Sequence, residues 1–219
     1  MSQNRLYRKL TDIVSDCMRG KKLDAYLMDL VAVTRILIRA FSGGNRVYIC
    51  GNGGSCADAS HIAGEFVKNF KCQRRNSVPL LQGGNFSILS RLQRGFPVYA
   101  LTDSACMSAI SNDMDFLLAF AQLVYVYGRK NDILIVLSTS GKSQNILNAV
   151  QTARKIGMYT ICITGDRATK LTEMSNMVLH IQSNQTDTIQ ETYLAAFHVI
   201  CQAVERAVYA DSLRIHKKI

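Results

Sequence analysis

In the stretch YICGNGGSCADASHIAGEF, residues 48–66, His61 and Glu65 stand four positions apart just downstream of a glycine-rich bend. On a helix this spacing puts an imidazole and a carboxylate on one face, where both can serve one metal ion or one substrate. The same spacing also describes an ordinary surface pair. The bend, Asn52-Gly53-Gly54-Ser55, follows an apolar run and opens a helical pattern, so backbone amides there can approach an anion at the positive end of the helix. It matches neither the dinucleotide fingerprint nor the P-loop, and a tight turn accounts for it equally well. A second junction weighs toward a ligand. ILIVL (133–137) runs directly into STSGKS (138–143), where Ser138, Thr139, Ser140 and Ser143 offer four hydroxyls at the start of the next helical pattern. A helix cap needs only one of them. Two such loops at strand ends favour a phosphorylated ligand. Far downstream, Gln190, Leu194 and His198 recur every four residues. His198 lies between Phe197 and Val199, so a core histidine satisfied by one hydrogen bond competes with the ligand reading. Gln190 and His198 stand about 12 Å apart along such a helix.

The elements that must carry these groups are legible as apolar runs of four to six residues: 47–50, 97–101, 133–137, 159–163 and 177–181. Runs of this kind mark buried parallel strands. Helical periodicity over 55–69, 115–127 and 142–156 separates several of them, which predicts βαβ crossovers. The fold class is therefore α/β: a doubly wound, five-stranded parallel sheet flanked by helices. Two helices, 3–19 and 24–41, precede the sheet, and a long one, 187–209, closes it. With two prolines and no Ser/Gly-rich linker, 1–219 reads as a single domain, residues 1–43 forming N-terminal helices and 44–219 the α/β core. The stretch 70–96 fits neither strand nor helix, and a connection of that length within a compact domain is commonly functional or mobile.

The charge balance of +10 over 219 residues suits a nucleic acid, an anionic membrane or a phosphorylated small molecule. The basic residues are scattered with little aromatic interleaving, so no nucleic-acid partner is expected. Seven cysteines without CxxC spacing, several inside apolar runs, suggest a reducing compartment, hence a cytoplasmic protein. No uncharged apolar stretch of about 18 residues is available to span a bilayer; the nearest, 25–41, is broken by Asp29, Arg35 and Arg39.

Four motifs in order now bear on the question: GNGGSxxDxxH with Glu65 four residues on, the Asn112-Asp113 pair, STSGxS, and DxIQ with His198 eight residues after Gln190. Together they resemble the sugar isomerase (SIS) domain family, and most closely its sedoheptulose 7-phosphate (phosphoheptose) isomerase branch. The likeness runs from the N-terminal helices to about residue 209. It implies a flavodoxin-like SIS fold and a homotetramer with active sites between subunits. Asn52, Gly53, Gly54, Ser55, Asn112, Asp113 and Gln190 would contact substrate, and Ser138, Thr139, Ser140 and Ser143 its phosphate. His61, Glu65, Gln190 and His198 would hold one Zn²⁺ per subunit.

The implied reaction converts a ketose phosphate, sedoheptulose 7-phosphate, into the aldose D-glycero-D-manno-heptose 7-phosphate through an enediolate. Such chemistry needs a base to carry a proton between adjacent carbons and an acid or metal to stabilise the developing oxyanion. Glu65 is the candidate base and His198 the candidate proton shuttle. The sequence departs from the family in places: Tyr193 stands where His is often found, Lys142 where Asn is common, and 70–96 is similar to the loop of a longer-chain subgroup. Two alternatives stand beside this reading: isomerisation of another sugar phosphate, and a non-catalytic SIS-domain regulatory or binding protein. In a binding module the acid/base set would be degraded, and here every member is present.

Overall fold

A computed structural model describes residues 3–72, 74 and 91–215. Helices α1 (Gln3–Cys17) and α2 (Leu27–Ser42) lead into β1 (Val47–Gly51), α3 (Gly54–Val67), β2 (Val98–Ala100) and α4 (Ser104–Ile110). Then come α5 (Ala119–Tyr127), β3 (Ile133–Leu137), α6 (Gln144–Lys155), β4 (Tyr159–Thr164), α7 (Lys170–Met174), β5 (Met177–His180) and α8 (Thr186–Ile215). The five strands pair in parallel in the order β2-β1-β3-β4-β5. In this doubly wound order, the chain leaves β1 toward β2 on one side and returns to β3 on the other, and ligands bind at the carboxyl ends of the strands at that switch point.

The central strands β1 and β3 are almost wholly apolar because both faces of the sheet are covered there. Every residue of β1 and β3 is buried. Val47, Ile49, Ile133, Ile135, Leu137, Ile161 and Ile163 point into the layer formed by α1, α2, α3 and α8. Their neighbours Tyr48, Cys50, Leu134, Val136 and Cys162 pack on the other face, against residues of α5, α6 and α7. The two-residue alternation of a strand thus feeds two cores.

The predicted α/β architecture and strand positions are observed, with differences that have local causes. The helix expected over 115–127 is interrupted: a π-helical turn, Ser111–Asp115, and a 3₁₀ turn, Phe116–Leu118, come before α5. Asp115 is extended, and its carboxylate accepts the Leu117 N–H, the competition with helix that Asp side chains offer. Two short helices escaped the periodicity: α4, capped by Asp103, and α7, capped by Thr169 in a reciprocal capping box with Thr172. Most of the 70–96 stretch lies outside the described residues. At one described position of it the packing is close: a Cβ on Gly95 would come 2.3 Å from the Val67 carbonyl oxygen, so only glycine passes there. Among the described residues no helix is long and apolar enough to cross a membrane.

Candidate active site

At the carboxyl end of β1 the chain turns through Asn52-Gly53-Gly54-Ser55 into α3. Gly53 has φ +55, a backbone region that glycine occupies without strain. Gly54 lets the Gln190 side chain come close: a Cβ there would sit 2.7 Å from its Nε2, so the amide would have to shift. Across the switch point, Asn52 and Asn145 exchange two amide hydrogen bonds, 3.0 and 2.8 Å. Asn145 is buried at the start of α6, and its Oδ1 also accepts the Ile146 N–H at 2.9 Å. One side chain therefore locks the glycine bend of β1 to the hydroxyl loop after β3. Asn145→Ala would leave the exposed Asn52 without this partner, at about 0.5–1.5 kcal/mol per hydrogen bond lost. We expect KM for a sugar phosphate to rise roughly tenfold with kcat less affected, measured by steady-state kinetics.

The hydroxyl loop is built to leave its donors free. Ser138 is held by its backbone, its N–H donating to the Ile163 carbonyl at 3.0 Å, and Gly141 turns the chain at φ +63. Ser143 takes the extended cap position of α6, yet its hydroxyl makes no capping bond. The start of α6 thus keeps unspent N–H groups and a free hydroxyl beside its positive end. Thr139, Ser140 and Lys142 line a cavity of about 160 Å³ together with Thr164, Gly165, Arg167, Asn184 and Thr186. Two cations and four hydroxyls around one small cavity suit a phosphate group. Arg167 and the 184–186 stretch were not anticipated from sequence. Their signal is positional, since each follows a strand end on the same edge of the sheet.

α3 and α8 lie side by side and run in the same direction, which the sequence of cross-helix contacts makes plain. Gln190 donates to Ser55 Oγ at 3.4 Å, and the Tyr193 hydroxyl lies 3.0 Å from Ser55 Oγ and 2.6 Å from Asp58 Oδ2. Further along, Nε2 of His198 comes 3.4 Å from Nε2 of His61, with ring centres 5.3 Å apart. Burial pushes the Tyr193 hydroxyl far above its usual range and Asp58 adds to the effect, so Tyr193 stays neutral and donates. His61 Nε2 also lies 3.5 Å from Glu65 Oε1, and the other oxygen, Oε2, accepts from Lys68 at 2.8 Å. Phe70 stacks against the His198 ring, centres 5.6 Å apart. Burial first, then the charges of His61 and Lys21, hold His198 below the ordinary histidine range, against an opposing pull from Glu65. A neutral imidazole is the form that accepts a proton or binds a metal.

The predicted site residues thus fall into separate groups. Asn52, Gly53, Gly54, Ser55 and Gln190 gather at the glycine bend, and Ser138, Thr139, Ser140 and Ser143 lie in the neighbouring hydroxyl loop. His61, Glu65 and His198 gather two to three turns down the α3/α8 seam. Gln190 therefore does not share the histidine group but stands about 12 Å up the helix. Asn112 and Asp113 sit exposed in the turn after α4, paired with each other at 2.8 Å.

Two ligands of a tetrahedral zinc at about 2.0–2.1 Å stand roughly 3.4 Å from one another. The His61–His198 and His61–Glu65 separations, 3.4 and 3.5 Å, have this value. Among the described residues no three His, Cys, Asp or Glu side chains already form a metal-holding group, so the two pairs share His61 without closing on one point. The donor types, neutral nitrogen and carboxylate oxygen, fit zinc.

A model of the SIS domain matches residues 84–165. The phosphoheptose isomerase of Crocosphaera subtropica is 35% identical over 198 residues, 90% of this chain and 91% of that one. That of Burkholderia pseudomallei is 35% identical over 214 residues, 94% and 98% of the two chains. This chain belongs to the phosphoheptose isomerase family. A solved phosphoheptose isomerase from Francisella tularensis superposes with a TM-score of 0.69 at 25% identity, covering 93% of this chain and 96% of its own. One from Neisseria gonorrhoeae gives 0.68 at 25%, covering 93% and 98%. The phosphoheptose isomerase likeness is thus end to end, spanning the N-terminal helices, the sheet and α8, and the SIS-type fold expected from sequence is observed.

Proposed function

We propose that this chain is an aldose-ketose isomerase that interconverts sedoheptulose 7-phosphate and D-glycero-D-manno-heptose 7-phosphate. Family membership supports the substrate class. The observation that carries the chemistry is the cluster of a carboxylate and two imidazoles, Glu65, His61 and His198, on adjacent turns of two parallel helices. The phosphate would sit at the hydroxyl loop of Ser138, Thr139, Ser140 and Ser143; of these Thr139 and Ser140 line the cavity, where Lys142 and Arg167 add charge. Glu65 removes a proton from C1 of the ketose and returns one to C2, so that a C1–H bond breaks and a C2–H bond forms. His198 carries the accompanying hydroxyl proton from O1 to O2, and its neutral form is suited to accept it.

His61, Glu65 and His198 would hold a zinc ion, joined by Gln190, whose present place at Ser55 requires it to lean down the seam. Such an ion would supply Lewis-acid polarisation of the two reacting oxygens. A double role for Glu65 is supported by the different surroundings of its oxygens: Oε1, facing His61, would belong to the ligand set, and Oε2, once released from Lys68, would serve the substrate.

Self-association, as a homotetramer, is supported by the exposed apolar side chains of Met114, Phe116, Leu117, Leu118, Tyr125, Val126 and Tyr127, all within one short stretch. Bringing Asn112 and Asp113 into a site would be a task for that assembly. Cytoplasmic residence is supported by seven free cysteines.

The test is turnover of sedoheptulose 7-phosphate before and after treatment with a chelator. Turnover that falls more than tenfold and returns with added zinc is the expected result. Turnover indifferent to the chelator contradicts the zinc assignment, and absence of turnover with zinc present contradicts the isomerase.

A further inference from the structure

The carboxyl end of α3 is where Glu65 sits, and a helix end leaves its last carbonyls without partners. Lys68, the next residue after the helix, is already extended. Two of these carbonyls are reached by Arg74: its Nη1 donates to that of Phe66 (2.7 Å), which also accepts the Phe96 N–H (3.0 Å), and its Nη2 lies 3.5 Å from that of Glu65, while Nη1 also donates to the Arg94 carbonyl (3.3 Å). Its Nε donates to Glu205 Oε1 at 2.7 Å, and both side chains are fully buried. The guanidinium lies over the Phe96 ring, 4.8 Å from its centre. Glu205 is satisfied in full: besides Arg74 it accepts the N–H groups of Phe70, Lys71 and Cys72 at 3.0, 2.8 and 2.8 Å.

Glu205 stands seven residues after His198, two turns along the same face of α8. Arg74 therefore joins the backbone of the candidate base to the helix that carries the candidate proton shuttle, and the chain it draws in includes Phe70, the ring stacked on His198. We infer that Arg74 and Glu205 form a positioning pair that sets the Glu65 carboxylate against His198, so that the pair governs proton transfer without touching substrate. The hydroxyl loop hangs on β3 and α6, outside this bracket, so the pair acts on chemistry and leaves phosphate binding alone. The inference rests on the isomerase reading.

Arg74→Lys keeps the charge but cannot reach Glu205 and the carbonyls together, because an ammonium lacks the planar fork. A displacement of about 1 Å at reacting groups costs on the order of a hundredfold in rate. With sedoheptulose 7-phosphate we expect kcat to fall about 10- to 100-fold. KM should stay within about threefold, since the phosphate loops are untouched. Substrate deuterated at C1 should show a larger isotope effect on kcat than with wild type, because the proton step becomes slower. Leu123→Ala, a core truncation on the opposite face of the sheet, reports what lost stability alone does and should leave kcat per folded molecule unchanged. A folded Arg74→Lys with kcat within twofold of wild type, or with an unchanged isotope effect, overturns the inference. Should Arg74→Lys fail to fold, Phe96→Leu keeps the ion pair and removes the ring beneath it, together with that ring's contacts to Phe41, Phe66 and Tyr209. A smaller fall in kcat with a raised isotope effect then supports the inference, and unchanged kcat overturns it. Wild-type protein inactive with zinc present brings down the isomerase reading and this inference together, whereas active wild type with unaffected variants overturns the inference alone.

Discussion

Glu65→Gln, folded and assembled as wild type, should lose isomerase turnover by about two to four orders of magnitude, the contribution of a positioned general base. The substitution preserves shape and removes the proton-accepting oxygen. The bond to Lys68 weakens, but that pair is exposed on the lysine side and contributes little to folding. Binding of the phosphate end should persist, because Ser138, Thr139 and Ser140 stand in the loop after β3, beside the start of α6, whereas Glu65 belongs to the last turn of α3. A non-isomerisable sugar-alcohol phosphate, titrated by calorimetry, would then bind within a few-fold of its wild-type affinity provided zinc is present in both. Turnover near wild type in this variant would remove Glu65 from the mechanism.

Glu205→Gln should have the largest effect on stability. The wild-type carboxylate is fully buried with four donors around it, three backbone N–H groups and the Arg74 guanidinium. An amide turns one acceptor into a donor facing donors and leaves Arg74 charged and unpaired. Breaking a buried pair from one side costs about 3–5 kcal/mol. For a chain of this size that lowers the melting temperature by roughly 6–20 °C. A pH dependence follows from the same contacts. Burial alone would raise the Glu205 carboxyl, but the N–H groups of Phe70, Lys71 and Cys72, with Arg74, outweigh it and hold the group below the usual glutamate range. A carboxyl with a depressed value in the folded state binds its proton more weakly there than when unfolded. Its stabilisation is therefore complete above the unfolded value, near 4.5, and drains away as pH falls through the lower folded value. Wild type should lose stability below about pH 4.5 more steeply than Glu205→Gln in chemical-denaturation series. Parallel curves would contradict the assignment.

Strands were legible from sequence because a parallel sheet covered on both faces demands unbroken apolar runs, as in ILIVL of β3. The positions of the glycine bend and the hydroxyl loop were legible because each directly follows such a run, and topology then places them side by side at the switch point. What escaped were contacts between distant positions. The Asn52–Asn145 pair spans 93 residues and the Arg74–Glu205 pair 131, and no local pattern announces either. The parallel course of α3 and α8 was invisible for the same reason. It brings His61 to His198, yet leaves Gln190 at the glycine bend, a separation that helical rise alone foreshadowed. The broken helix before α5 escaped because its apolar periodicity continues through Phe116–Leu118 while Asp115 diverts the backbone.

The most direct test of the central claim is nuclear magnetic resonance in deuterated water with sedoheptulose 7-phosphate, the purified protein and zinc. Proton abstraction at C1 followed by reprotonation from a base in exchange with solvent predicts aldose carrying deuterium at C2, and deuterium entering C1 of the remaining ketose. Neither aldose formation nor deuterium incorporation into the ketose, with the protein folded and zinc present, would contradict the account.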